Sequence, residues 1–244
     1  MENRLIDSYK DLGLYIHIPF CVKKCDYCDF LSGPASEETK RLYVKALIKE
    51  IFSNRDLAAE YLVKTIFIGG GTPSSINGKF IGEILKAVRE VFRVSGEAEI
   101  SIEANPGTVN EDKLKEYKKA GINRISFGLQ SADNRELKLL GRIHSYEEFE
   151  ENYFLARKLE FQNINVDLMS ALPGQTLEMW LGTLEKVISL KPEHISAYSL
   201  ILEEGTPFFD RYSEEDQDED LDRKIYGKTR EVLEAAGYYR YEIS

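Results

Sequence analysis

Leu14-Tyr-Ile-His-Ile-Pro-Phe-Cys21-Val-Lys-Lys-Cys25-Asp-Tyr-Cys28-Asp-Phe30 holds every cysteine of the chain. Cys21, Cys25 and Cys28 are spaced C-x3-C-x2-C and follow directly on a short β-branched and aromatic run that reads as a strand. Three thiolates this close can converge on one soft metal centre. Structural zinc sites almost always take four protein ligands, so zinc needs a further donor, and His17 on the preceding strand is the candidate. Iron–sulfur clusters are held by cysteine thiolates. A three-cysteine loop therefore suits a [4Fe–4S] cluster whose fourth iron is open to a non-protein ligand. A disulfide between two of the three is a competing reading, and simple packing is disfavoured by their clustering in one loop.

Outward from this loop, strand-like segments recur at 14–20, 64–69, 98–104, 124–130, 163–169 and 194–200. Amphipathic stretches at 38–54, 81–92, 111–120, 146–159 and 177–190 lie between them. Strand alternating with helix is the pattern of a parallel sheet. Right-handed crossovers can roll such units into an open barrel, but periodicity alone does not choose between a rolled and a flat sheet.

In parallel β/α barrels the reactive groups sit where strands end and loops begin. The unusual residues of this chain fall at those ends. They are the cysteine loop, Gly69-Gly-Gly-Thr-Pro-Ser74, Glu103-Ala-Asn-Pro106, Gly128-Leu-Gln130-Ser131, the run from Asp167 to Gly174, and Ala197-Tyr-Ser199. Three successive glycines serve a tight turn or let a ligand approach the backbone closely. They lack the G-x-G-x-x-G spacing and the lysine of nucleotide-phosphate loops. Glu103 and Asp167 lie on otherwise apolar strands, where an unpaired carboxylate is costly; ion pairs or a ligand would satisfy them. Gln130 is a core amide or a ligand contact, and Arg142 alone reads as a surface residue.

The chain has 244 residues, 43% of them hydrophobic, and carries 42 acidic against 32 basic side chains for a net charge of −10. That length suits a single α/β barrel. The acidic balance argues against nucleic acid as the main partner. The polar N-terminus does not read as a signal peptide, and no apolar run reaches the length of a membrane span. An odd set of clustered cysteines without a signal predicts a cytoplasmic metal-binding protein. After residue 202 the character changes. A turn at 203–207 and an acidic run at 214–220 read as a solvated linker, followed by an amphipathic helix at 221–236, a stop at Gly237 and a further strand at 238–243. The expected division is a core barrel over 1–202 and, over 203–244, this linker, helix and the start of a C-terminal region that reads as truncated.

The cysteine spacing joined to Gly69-Gly-Gly-Thr-Pro73 resembles the radical S-adenosylmethionine (SAM) superfamily. Within it, Tyr15-Ile-His-Ile-Pro-Phe-Cys21, Ser101-Ile-Glu103, Gly128-Leu-Gln130-Ser131 and Asp167-Leu-Met-Ser-Ala-Leu-Pro-Gly174 resemble the oxygen-independent coproporphyrinogen III oxidases and their HemW-type heme chaperones. The similarity runs from about Leu12 to the end of the chain. It implies an α/β fold, a partial (β/α)6 barrel of parallel strands with a C-terminal helix and strand. It also implies a [4Fe–4S] cluster held by Cys21, Cys25 and Cys28, with SAM on the fourth iron. Gly70, Gly71 and Thr72, with Glu103, match the element that receives the methionine amino group, and Arg142 matches the arginine that pairs with its carboxylate. Gln130 and Asp167 match ribose contacts, Tyr15 and Tyr27 match aromatic residues beside the cluster and adenine, and Ser199 matches a backbone position lining the adenine. The chemistry implied for the superfamily is reductive cleavage of SAM to methionine and a hydrogen-abstracting 5′-deoxyadenosyl radical.

The oxidases carry a fourth cysteine two residues past the third, where this chain has Phe30, as HemW-type proteins do. They also carry a longer segment before the first strand. The expected function is therefore a heme chaperone with no catalytic residue named. Heme or a porphyrin would be its cargo and a heme-acceptor protein its target. A flavodoxin or ferredoxin would donate electrons, and a membrane would be met only through the acceptor. The alternatives are an oxidative decarboxylase of coproporphyrinogen III, or a product that binds cluster and SAM with neither activity. The His-Asn…Tyr-Trp motif that HemW-type proteins carry in their C-terminal domain is not in this sequence, and none of its three histidines is assigned as a heme ligand.

Overall fold

A computed structural model describes residues 9–213 and 218–242. In chain order the elements are β1 (Lys10–Ile18), α1 (Glu37–Ser53), α2 (Arg55–Ala58), β2 (Tyr61–Gly70), a 3-10 turn (Pro73–Ser75), α3 (Gly78–Val91), β3 (Arg93–Ala104), α4 (Glu111–Ala120), β4 (Arg124–Gln130), α5 (Asn134–Leu139), α6 (Tyr146–Lys158), β5 (Asn163–Ser170), α7 (Leu177–Leu190), β6 (His194–Ser199), α8 (Pro207–Arg211) and α9 (Glu219–Ala235). The six strands form one sheet in the order β1-β2-β3-β4-β5-β6. β1 with β2, β2 with β3, and β5 with β6 pair in parallel. Parallel neighbours need long crossovers, and the intervening helices supply them.

Apart from α2, the helices begin where the sequence offers a side-chain acceptor to an orphan backbone donor. Ser36 caps α1, Asn77 caps α3 and Thr176 caps α7. Ser145 and Glu148 satisfy each other's backbone in a reciprocal capping box at the start of α6. α4 starts on Asn110 and stops on Gly121, whose φ of 87° ends the helix without a steric penalty.

Successive strand residues face opposite sides of a sheet. Ile66 and Ile68, Ile100 and Ile102, Ile125, Phe127 and Leu129, and Ile164, Val166 and Leu168 are all buried. The alternate positions of β3 to β6 carry Ser101, Glu103, Ser126, Gly128, Gln130, Asn165, Asp167, Ser196 and Tyr198. One side of these strands is thus apolar and the other polar.

Two compact units are distinguished by packing. The first comprises Met1–Val22, Leu31–Ala104 and Thr108–Ile125; the second comprises Lys23–Phe30, Asn105–Gly107 and Ser126–Ser244. The first has a core that includes Ile81, Ile84, Leu85, Val88, Leu114 and Tyr117. The second buries Phe127, Phe149, Tyr153, Trp180 and Leu184, and a further cluster of Leu140, Met169, Leu172, Leu200 and Phe208.

Among the described residues, four non-glycine residues adopt left-handed backbone. Glu160 (φ 64°) and Lys191 (φ 55°) close α6 and α7, whereas Gln130 (φ 74°) and Ala171 (φ 57°) stand where β4 and β5 end. The strand expected at 238–243 does not form among its described residues, Tyr238 to Glu242. Tyr238 donates to the carbonyl of Pro192 instead, and Tyr239 and Tyr241 project into solvent. Ile243 and most of the acidic run at 214–220 lie outside the described residues. No helix among those residues is long and apolar enough to cross a membrane.

Candidate functional site

In the first unit the end of β1 and the glycine run after β2 are laced together. Gly71 N–H donates to the Ile18 carbonyl at 2.9 Å and Thr72 N–H to the Phe20 carbonyl at 2.7 Å. Cys21 is buried there, its N–H donating to the Gly33 carbonyl, and the Thr72 hydroxyl donates to its Sγ at 3.4 Å. A Cβ on Gly71 would lie 3.0 Å from that sulfur and 2.9 Å from the Phe20 carbonyl oxygen. Gly70 combines a φ of +116° with a space in which a Cβ would meet the His17 ring at 2.5 Å. Its N–H donates to Glu103 Oε2 at 3.0 Å. Glycine is needed here for backbone conformation and for close approach alike. Tyr15 stacks on Phe67, with ring centroids 6.1 Å apart, and its hydroxyl lies 3.4 Å from His17 Nδ1. The other His17 nitrogen meets the Leu31 carbonyl at 3.3 Å.

In the second unit Cys25 and Cys28 occupy a single turn, with Cys28 N–H donating to the Cys25 carbonyl. Arg142 reaches this turn. Its Nη1 lies 3.4 Å from both Cys25 Sγ and the Tyr27 hydroxyl, and its Nη2 donates to Asn105 Oδ1 and the Gly128 carbonyl. Its Nε is sealed from water without a partner. Every acceptor of this guanidinium is thus uncharged or a thiol, and among the described residues it makes no ion pair with a carboxylate. An enclosed cation without a counter-charge suits an incoming carboxylate.

Gln130 is buried, and its Oε1 accepts from the Tyr198 hydroxyl at 2.7 Å. Burial pushes that phenol's pKa well up, with the Asp167 charge adding to it, so Tyr198 remains a donor. Asp167 accepts from Ser126 Oγ at 3.0 Å and from Asn165 Nδ2 at 2.7 Å, while Ser196 donates to Asn165 Oδ1. Ser199 turns its hydroxyl to Asp222 Oδ1 at 2.8 Å, which commits its side chain to α9.

The expected site residues therefore fall into two groups, each described within its own unit. Tyr15, Cys21, Gly70, Gly71, Thr72 and Glu103 belong to the first; Cys25, Tyr27, Cys28, Gln130, Arg142, Asp167 and Ser199 belong to the second. The three cysteines are free thiols. Among the described residues no three His, Cys, Asp or Glu side chains are already gathered around a metal position, His17 included. The donor chemistry fits a thiolate-ligated cluster; within the first unit the Gly70–Gly71 backbone leaves no room for a side chain, and within the second the enclosed Arg142 guanidinium fits a carboxylate. Asn105, Ser126, Asn165, Ser196 and Tyr198 were not among the expected site residues. The last four stand on the polar alternation of β4 to β6, a pattern present in the sequence; Asn105, in a loop, leaves no such signal.

The sequence from residue 15 to residue 187 matches the Radical SAM superfamily. The chain belongs to the radical SAM superfamily. It is 44% identical over 234 residues to the Heme chaperone HemW of Escherichia coli (strain K12), covering 96% of this chain and 62% of that protein. The Heme chaperone HemW of Bacillus subtilis (strain 168) is 36% identical over 234 residues, 94% of this chain and 62% of that protein. The mouse Radical S-adenosyl methionine domain-containing protein 1, mitochondrial, is 37% identical over 238 residues, 95% of this chain and 53% of that protein. The chain thus spans 62% or less of these curated relatives. Among solved structures, the coproporphyrinogen III oxidase HemN from Escherichia coli, a radical SAM enzyme, superposes with a TM-score of 0.89 at 30% identity, covering 97% of this chain and 55% of that one. Streptococcus suis SuiB bound to S-adenosylmethionine shares the fold, with a TM-score of 0.63 at 16% identity over 93% of this chain and 48% of that one. The α/β partial barrel implied by the resemblance is the radical SAM fold observed.

His144 follows Arg142 by two residues and is only 5% exposed. Its nitrogens lack good hydrogen-bond geometry, although the ring leans on the Leu129 backbone. Burial, reinforced by the Arg142 charge, pushes its pKa down to about 3. An unfolded histidine titrates near 6.5, so stability is complete above that pH and is lost as pH falls toward 3. At pH 5 the loss from this residue is about 2 kcal/mol. Urea denaturation at pH 8 and pH 5 checks this. The wild type should lose about 2 kcal/mol more than His144→Leu, and equal losses would remove His144 from the acid response.

Proposed function

We propose that this chain is the cluster- and SAM-holding part of a heme chaperone of the HemW type. The observation that carries the reading is its 44% identity with the Escherichia coli Heme chaperone HemW over 96% of the chain. Phe30, 62% exposed, stands where the resembling oxidases carry a fourth cysteine and agrees with it.

In this reading Cys21, Cys25 and Cys28 hold a [4Fe–4S] cluster. The Arg142 fork receives the SAM carboxylate, and the Gly70–Thr72 backbone with Glu103 receives the amino group. Gln130 and Asp167 accept the ribose hydroxyls; Tyr15, Tyr27 and the Ser199 backbone enclose the adenine end. When bound, the cluster would supply the single electron that reductive SAM cleavage needs. The protein's part is to orient both groups and to exclude water. Tyr198 keeps the Gln130 carbonyl aimed, and Ser126 with Asn165 fixes the Asp167 carboxylate. Heme or a porphyrin is the cargo, a heme-acceptor protein the target and a flavodoxin- or ferredoxin-like protein the electron source. The cytoplasm is the compartment, with residues 1–202 as the core and 203–244 as an appended segment.

The test is anaerobic cluster reconstitution followed by heme titration, read at the Soret band with and without SAM. Saturable binding at about one heme per chain supports the reading. A loaded chain that ignores heme overturns the assignment of heme recognition to these residues. The 30% identity and TM-score of 0.89 with HemN give weaker support to a second reading, the oxidase. SAM- and reductant-dependent conversion of coproporphyrinogen III to protoporphyrinogen IX would replace the first reading with it.

A further inference from the structure

The turn bearing Cys25 and Cys28 converges on one residue, Asp26. Its N–H donates to the Leu140 carbonyl at 3.2 Å, and its own carbonyl accepts from Phe208 N–H at 3.0 Å. Its Oδ2 accepts from Arg211 Nη2 at 2.6 Å. Gly141, at a φ of +72°, backs onto the same carboxylate so closely that a Cβ there would lie 2.6 Å from Oδ1. The neighbours of Asp26 reinforce the grip. Lys23 Nζ reaches the Gly141 carbonyl at 3.3 Å, and the Tyr27 ring meets Phe208 edge-on at 6.4 Å between centroids. Phe208 itself is fully buried in the cluster of Leu140, Met169, Leu172 and Leu200. The short helix α8 and the turn 139–142 therefore clip the cysteine turn from two sides, and the turn side leads straight into Arg142.

We propose that Arg211 is a positioning residue for the cluster: by holding Asp26 it fixes the turn in which Cys25 and Cys28 present their thiols. The proposal rests on the reading of these cysteines as cluster ligands. A surface ion pair is worth little by itself, and Arg211 and Asp26 side chains are 50% and 19% exposed. What distinguishes this pair is that Asp26 is already pinned through its backbone to two separate segments. The ion pair then removes the remaining freedom of a turn that a soft-metal site needs held still. It also joins residues that are 185 positions apart in sequence, so the turn is held by a segment from the far end of the chain.

The test uses the full chain. Wild type, Arg211→Ala and Arg211→Lys are loaded anaerobically with iron and sulfide, and cluster loss to a chelator is followed by visible absorbance. In parallel, trypsin nicking after Lys23 and Lys24 is timed on the unloaded chains. Arg211→Ala should lose its cluster about five-fold faster and be nicked faster by a similar factor. Arg211→Lys should stay within about two-fold of wild type. Arg211→Gln replaces the alanine variant if that chain does not fold. Equal chelation rates in wild type and Arg211→Ala overturn the clip and leave the cluster reading standing. A lysine variant as fast as the alanine variant overturns it too. A wild type that takes up no iron or sulfide overturns the cluster reading, and the nicking rates then judge the clip alone: faster nicking of Arg211→Ala supports it and equal nicking overturns it.

Discussion

A Cys25→Ala chain is expected to come through anaerobic reconstitution almost without iron or sulfide, while folding as well as wild type. Cys25 is half-buried in a turn, and the change removes one sulfur from a site whose apolar packing is carried by Tyr27 and Phe208. The loss to the fold is therefore small. The loss to the site is not, because in the proposed reading a cluster with three protein thiolates becomes one with two. Wild type should bind about four irons and four sulfides per chain and the variant fewer than about one. The Arg142 guanidinium loses an acceptor at the same time. Iron and sulfide analysis with the absorbance near 400 nm reads the result. A variant retaining the wild-type content would remove Cys25 from the ligand set, and zinc without sulfide in the wild type would return the loop to zinc chemistry.

Arg142→Met is expected to separate binding from stability. The Arg142 guanidinium is held by Asn105, Gly128, Tyr27 and Cys25, none of them a carboxylate. An enclosed charge so placed contributes little to the empty fold, since its desolvation offsets what its hydrogen bonds return. A methionine of similar length should leave the thermal midpoint within about 3 °C. A carboxylate held by a guanidinium fork is another matter: losing that charge-assisted pair, at about 3 kcal/mol, should weaken SAM binding by roughly a hundred-fold. Arg142→Lys keeps the charge without the fork and should fall between the two. Calorimetric titration of the reconstituted protein measures both variants. Unchanged SAM affinity in Arg142→Met would dismiss the socket.

The order of the fold was legible because each strand and helix carried its own signal. β4, α4 and α7 run over the residues expected, framed by Asn110 and Gly121 for α4 and by Thr176 for α7. β1 starts earlier than its apolar run, at Lys10, because pairing with Tyr61 and an ion pair to Glu60 extend it through charged residues. β3 likewise reaches back to Arg93 through a stretch whose charges and Gly96 mask a strand. α5 and α8, with 6 and 5 residues, are too short to display a helical period. The tyrosine-rich tail has strand-like composition, yet Tyr239 and Tyr241 face water, so no burial favours extension there. At the site, the cysteines and glycines announce themselves by spacing. Asn105 and the Asp26–Arg211 pair do not, because their roles arise only when distant segments meet.

The left-handed residues show where this chain yields conformational comfort. A side chain in that region costs up to about 1 kcal/mol against glycine. At Glu160 and Lys191, each ending a helix, an engineer seeking a sturdier protein could install glycine and recover that energy. Ala171 offers the same gain at the end of β5. Gln130 does not, although its backbone is the most displaced of the four at φ 74°. Its amide oxygen holds the Tyr198 hydroxyl, and glycine would leave that part-buried donor without its acceptor. A library selected for heat resistance alone should therefore drift to glycine at three of these positions and keep glutamine at the fourth.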